Sequence, residues 1–270
     1  MGRLLTGREL RTIFDHFCPF DQDNNLKSDD RQVTLLAANS NNWWLTRAIV
    51  QAAAWGDQSP VIVQFSHNSN RKIGGDPTAI FVPEGLGYHG NPVVNGARAN
   101  AHWIQMEAEA WDADFVAVSL DHFRVPRFKP DADYQRQAAP TNYSEEIDEA
   151  VAYLAELGLA EIAGEVDKAT AQAYLNYLSS TEYHQFRSDF LDTVQVMSPA
   201  WGMIDTEGIA PVLDFVMTRD ITSAVRTELA NHDMMIEAEL GATGTSGDQV
   251  EYQKMVRIAS TLSMERESLM

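Results

Sequence analysis

The residues Asp114-Phe-Val-Ala-Val-Ser-Leu-Asp-His122 decide the fold. From Phe115 to Leu120 they are mostly apolar, partly β-branched and uncharged, which is the pattern of a parallel strand covered on both faces. The run stops at Asp121-His122. Phe123, Arg124 and Pro126 follow, and the proline discourages regular structure. In α/β barrels the side chains at the carboxyl ends of strands line the active site. An adjacent acid and imidazole there can supply a proton-transfer group and a metal ligand. An isolated Asp-His pair is more often a capped strand end, so the pair has to be weighed with its neighbours.

Working outward, strand and helix patterns alternate on both sides of this stretch. Toward the N-terminus, residues 3–17 have helical spacing, 33–38 read as a first strand ending at Asn39, and 43–55 as a helix closed by Gly56. Residues 61–65 form a second apolar strand ending at Ser66, and the Gly- and Pro-rich stretch 71–94 reads as a long loop before a helix over 95–111. Toward the C-terminus the chain is irregular to Pro140, then helical at about 144–157 and 167–191. A short strand at 203–205 follows, then a helix at 218–231, a fifth strand at 234–240 and a last helix near 249–263. This alternation predicts an α/β fold with parallel pairing and right-handed crossovers.

Composition bounds the function. The chain has 270 residues, 44% of them hydrophobic, enough for a sizeable core. Its 39 acidic and 20 basic residues give a net charge of −19, which argues against nucleic acid or an anionic membrane as partner. Cys18 is the single cysteine, so an intrachain disulfide is excluded. No apolar run is long enough to span a bilayer, and the N-terminal residues do not read as a signal peptide. A cytoplasmic protein made of one domain over residues 1–270 is the expectation.

Polar groups gather at the strand ends: Asn39, Ser66, Asp121-His122 and Glu239, with Asp205 on the short fourth strand. Glu237 and Glu239 lie on one face of their strand, because side chains alternate with a period of two. Two acids on a buried strand need a compensating cation or a proton. His122, Asp205 and Glu239 together offer a first shell for zinc or a similar divalent ion.

Four blocks, taken in order, resemble the class II, zinc-dependent fructose-bisphosphate aldolases. They are Ala38-Asn39 with 48–53 and 59–66, then Leu120-Asp-His122, then Met203-Ile-Asp205, then Ile236-Glu-Ala-Glu-Leu-Gly241 with Thr243-Gly244. The resemblance implies a (β/α)8 TIM-barrel fold, here with about five of the eight βα units and a helical insertion over about 124–197. It implies that Asp121 is the catalytic acid/base carboxylate, that His122, Asp205 and Glu239 ligate zinc or another divalent metal, and that Ser66 and Asn39 bind substrate. The implied partner is a phosphorylated sugar and the implied assembly a homo-oligomer. The implied reaction is reversible cleavage of a ketose bisphosphate to glycerone phosphate and an aldehyde.

The sequence departs from the family pattern. Ser119 stands where the family has His, and Ser246-Gly247-Asp248 replaces its acidic pair. Only 29 residues follow Gly241, without the further zinc histidines. Truncation of a longer barrel is therefore expected. The alternative is a catalytically inactive relative that binds sugar phosphates or serves assembly.

Overall fold

Val61, Val63 and Phe65 alternate with Ile62, Gln64 and Ser66, and this alternation assigns each side of the sheet its role. These residues form β2 (Val61–Ser66), which pairs in parallel with β1 (Leu36–Asn39) and with β3 (Val116–Arg124). β4 (Trp201–Asp205) and β5 (Met235–Ala238) complete a sheet of order β1-β2-β3-β4-β5. In the computed structural model, residues 2–17, 35–56, 58–75, 90–229 and 233–238 are described. The strictly sequential strand order is that of a barrel-type winding, since a doubly wound sheet reverses its order at a switch point. The α/β architecture, with five strands and a helical segment after the third, agrees with the sequence reading.

The described residues fall into two compact units. The first holds the residues up to Phe123 together with Asp189–Met203 and Val225–Glu237; the second holds Arg124–Ser188 and Ile204–Ala224.

In the first unit the register sets Val61 beside Val116 and Val63 beside Val118, and all four are buried. α2 (Trp43–Trp55) and α3 (His67–Gly74) pack against β2, and α4 (Pro92–Ala110) packs on both helices. α3 and α4 approach so closely that a Cβ on Gly96 would stand 1.8 Å from the Asn70 carbonyl oxygen. On the other side of the sheet, Ile62, Ala117 and Ala200 cluster with Leu5 and Leu10. Leu10 belongs to α1 (Gly7–Phe17), which thus covers the amino-terminal half of that face. Thr6 and Glu9 cap α1 reciprocally: the Glu9 amide donates to Thr6 Oγ1 at 3.3 Å and the Thr6 amide to Glu9 Oε2 at 2.9 Å. Asp233 accepts from the Gly7 and Arg8 amides, at 3.1 and 3.2 Å, and ties the helix start to the segment before β5.

The second unit is mainly helical: α5 (Tyr143–Glu156), α6 (Ala160–Gly164), α7 (Lys168–Leu178), the start of α8 (Thr181–Met197) and most of α9 (Pro211–Glu228). Asp220 on α9 is buried and accepts from the hydroxyls of Tyr183 (2.9 Å), Tyr143 (3.0 Å) and Thr141 (3.4 Å), with Arg187 Nε at 3.4 Å.

Three sequence expectations need correction. The helix expected over 167–191 is two helices, α7 and α8, because Ser180 Oγ accepts the Tyr183 amide at 3.1 Å and starts a new helix. The stretch expected as loop from residue 71 is helical to Gly74, because Ser66 caps α3; residues 76–89 lie outside the described residues. α9 starts at Pro211 rather than 218, proline being suited to a first helical position. The helix expected near 249–263 lies outside the described residues. No helix among the described residues is long and apolar enough to cross a membrane.

Candidate active site at the strand ends of the first unit

The register explains which polar residues converge. Asn39 pairs with Gln64, Gln64 with Ser119, and Ser66 with Asp121. Partners in parallel strands share a face, and so do residues two apart. Asn39, Gln64, Ser66, Ser119 and Asp121 therefore all face the side on which α1 packs, but at the carboxyl-terminal half left beyond that helix.

Asp121 is the centre of this group. It is 7% exposed. Asn39 Nδ2 donates to its Oδ2 at 3.0 Å and Gln64 Nε2 to its Oδ1 at 3.3 Å. Each oxygen thus accepts from a side-chain amide. Two side-chain amides from two neighbouring strands hold the carboxylate in one orientation, which a general base requires.

Ser66 ends β2 and starts α3. Its Oγ accepts the Ser69 amide at 3.1 Å and shares a 3.0 Å hydrogen bond with Ser69 Oγ. The hydroxyl stands at a helix N-terminus, where backbone amides favour anions. His67, the next residue, packs its ring 4.7 Å from that of Phe123. Burial lowers its pKa and Arg71 lowers it further, against the opposing charge of Asp189. That keeps it neutral to lower pH than an ordinary imidazole.

His122 is exposed and has φ 44°, in the left-handed region. Such a conformation costs on the order of 1–3 kcal/mol in a non-glycine residue and clusters at functional sites. It interrupts the pleat of β3 immediately after Asp121.

Glu237 on β5 reaches this neighbourhood electrostatically. Desolvation and the Asp121 charge raise its pKa, while His122 and a hydrogen bond with Trp201 lower it. Much of the Glu237 side chain remains in solvent, so the net upward shift is modest in energy.

Of the residues singled out from the sequence, the structure brings Asn39 and Asp121 into direct contact and sets Ser66 beside Asp121 in the register. Asp205 belongs to the second unit. It is buried at the end of β4, where its Oδ1 accepts the Glu207 amide at 3.1 Å and its carbonyl the Val125 amide at 3.0 Å. Glu239 lies outside the described residues. Among the described residues no group of three or more His, Cys, Asp or Glu side chains could hold a metal ion. The expected ligand set is therefore not complete within the described residues.

Sequence reading missed Gln64 as a site residue. Its signal was available: it is the single polar residue inside Val61-Ile-Val-Gln-Phe65, two positions before Ser66 and so on the same face.

No protein-family model matches the chain, and no curated protein matches it. Among solved structures, the chain is similar to a fructose-bisphosphate aldolase from Campylobacter jejuni, with a TM-score of 0.50 and 15% sequence identity. The likeness covers 97% of this chain and 55% of that one, so the chain spans about half the length of the aldolase it matches. At that identity the likeness concerns the fold, which is aldolase-like.

Proposed function

We propose that the chain carries the proton-transfer half of an aldolase-type carbon–carbon lyase acting on a phosphorylated ketose. The observation that supports this best is Asp121, buried at the carboxyl end of β3 with both oxygens held by the amides of Asn39 and Gln64. In the cleavage direction Asp121 takes the proton of the substrate hydroxyl. The hydroxyl oxygen becomes the aldehyde carbonyl, the neighbouring carbon–carbon bond breaks, and its electron pair passes to the ketone-derived fragment. Ser66 and the start of α3 suit the substrate phosphate. Zinc or another divalent ion, with His122, Asp205 and Glu239 as ligands, belongs to the proposal on the strength of the sequence blocks; when bound it would supply Lewis-acid chemistry.

The test is release of glycerone phosphate from fructose 1,6-bisphosphate by the purified 270-residue chain, with bound metal measured on the same sample. Activity lost on Asp121→Asn, and metal lost on His122→Ala, are the expected results. Wild-type activity that survives Asp121→Asn sinks the role of Asp121, and equal metal content in the His122→Ala chain sinks the ligand assignment.

A second reading, an inactive sugar-phosphate-binding relative, is favoured by Ser119 standing where the family has His and by Ser246-Gly247-Asp248 in place of its acidic pair. Under it, calorimetry detects fructose 1,6-bisphosphate binding that Ser66→Ala weakens, with no glycerone phosphate formed.

A further inference from the structure

Within the second unit, α5 and α7 enclose a cavity of about 270 Å³, lined on one side by Ile147 and Asp148 and on the other by Lys168, Ala171, Gln172 and Leu175. Helix periodicity explains this lining: positions 168, 171, 172 and 175 are three, four and seven residues apart and so share one face of α7. Ile147 is buried and Ala171 and Leu175 are half-buried, so much of the lining is apolar. Both ends of the α7 wall are fixed. Asp167 accepts the Thr170 amide at 2.8 Å, and Gln172 Nε2 donates to Asn176 Oδ1 at 2.8 Å. Two opposite charges meet the cavity from facing helices, Asp148 on α5 and Lys168 on α7. Lys168 is the single base between Arg136 and Arg187, a stretch that holds nine acids. Even so, neither the Lys168 nor the Asp148 side chain forms an ion pair or a hydrogen bond among the described residues.

We infer that this cavity binds a free α-amino acid with an aliphatic side chain. The ligand's ammonium group pairs with Asp148, its carboxylate with Lys168, and its side chain lies against Ile147, Ala171 and Leu175. Charge selects a zwitterion. A simple anion would gain Lys168 but face the Asp148 carboxylate, and a simple cation would meet the reverse; only a ligand with both charges complements both walls. Size selects a small one, because the cavity falls just below the roughly 300–1,000 Å³ of sites for drug-sized ligands. Its composition also fits, since binding sites combine an apolar lining with a few polar groups that fix orientation. The two charges remain solvent-accessible on the helix surfaces, so each ion pair contributes little and the side chain supplies much of the affinity.

The experiment titrates the full chain with L-leucine and follows the backbone amides by NMR. Isocaproate, which lacks the ammonium group, and isoamylamine, which lacks the carboxylate, serve as comparison ligands. Leucine should shift amides of α5 and α7 with a Kd on the order of 1 mM, and each comparison ligand should bind about three- to tenfold more weakly. Asp148→Asn should weaken leucine by a similar factor and leave isocaproate no weaker; Lys168→Met should weaken leucine and leave isoamylamine no weaker. Both positions are exposed, so these variants should keep the circular dichroism spectrum of the parent. No saturable shift up to about 20 mM leucine, well above that Kd, overturns the inference. Isocaproate or isoamylamine binding as tightly as leucine overturns it too, by removing the need for one of the charges. Leucine binding unchanged in both variants places the ligand elsewhere and likewise overturns it. Release of glycerone phosphate enters none of these readouts.

Discussion

Asp121 shows how far a single side chain can be read. The sequence places it at the end of a buried strand, but the two amides that orient it come from positions 57 and 82 residues away, and only the strand register brings them there. Replacing Asp121 by Asn keeps the shape and removes the base. Turnover should fall by about 10²–10⁴-fold, measured as kcat in a coupled assay. Asn39→Ala removes one hydrogen bond to a charged group, about 1.5–3 kcal/mol, so a loss of roughly ten- to a hundredfold is expected with Asp121 still present. Asp214 gives a residue-scale prediction of stability. It is 1% exposed, and burial pushes its pKa up from 3.8 to about 7, against hydrogen bonds from Thr206 and Thr218. A raised folded pKa means that the folded state binds the proton more tightly than the unfolded chain. The stability this lends is complete below pH 3.8 and lost as pH rises through about 7. Asp214→Asn mimics the protonated acid, so it should stabilise the chain by a few kcal/mol at pH 8 and by much less at pH 5. Urea unfolding at the two pH values checks this; an equal effect at both would show that Asp214 is ionised in the fold. Nothing in the sequence marks Asp214 as buried, because an acid in the first turn of a helix is ordinarily a solvated partner of the helix dipole.

At the scale of elements, strands and helices with strong local chemistry were legible. α2 has the limits expected of it, because Asn42 accepts the Leu45 amide at its start and Gly56 closes it. β2 and β3 follow from uncharged apolar runs. The α7–α8 break was not legible, since apolar spacing continues through Ser179-Ser180 and only the Ser180 hydroxyl on the Tyr183 amide discloses a second helix start. The Asp220 network was also hidden, because its members come from the segment before α5 and from α5, α8 and α9, far apart in the chain. It yields a graded prediction. Tyr183→Phe removes one donor and should cost about 1–2 kcal/mol. Asp220→Ala removes the carboxylate charge that faces the Arg187 guanidinium and the acceptor of the Tyr143 and Tyr183 hydroxyls, and should cost about 3–5 kcal/mol. Chemical denaturation of both variants gives the order; a Tyr183→Phe effect equal to that of Asp220→Ala would mean that the carboxylate adds nothing beyond one hydrogen bond.

At the scale of the whole molecule, the barrel-type winding was legible because βα alternation and right-handed crossovers leave few topologies, and the sequential strand order is one of them. The metal centre was not settled in the same way, since its expected ligands Asp205 and Glu239 depend on long-range placement that local patterns do not encode. Net charge, by contrast, is visible at once and acts on the molecule as a whole. With 39 acids against 20 bases the charges are far from balanced, and the mutual repulsion of the carboxylates is greater in the folded chain than in the expanded one. Ion pairs work in the opposite sense, but those of Arg3 with Glu9, Arg124 with Glu207 and Arg219 with Glu149 involve side chains one-third exposed or more. Each such pair is worth less than about 1 kcal/mol. Screening should therefore relieve more repulsion than it removes attraction. The Debye length falls from about 30 Å at 0.01 M salt to under about 10 Å at physiological ionic strength and above, so raising potassium chloride over that range should move the urea midpoint upward. Sodium chloride should act equally, because screening depends on ionic strength and not on the identity of the cation. A midpoint that falls with salt would mean that the ion pairs outweigh the excess of 19 negative charges.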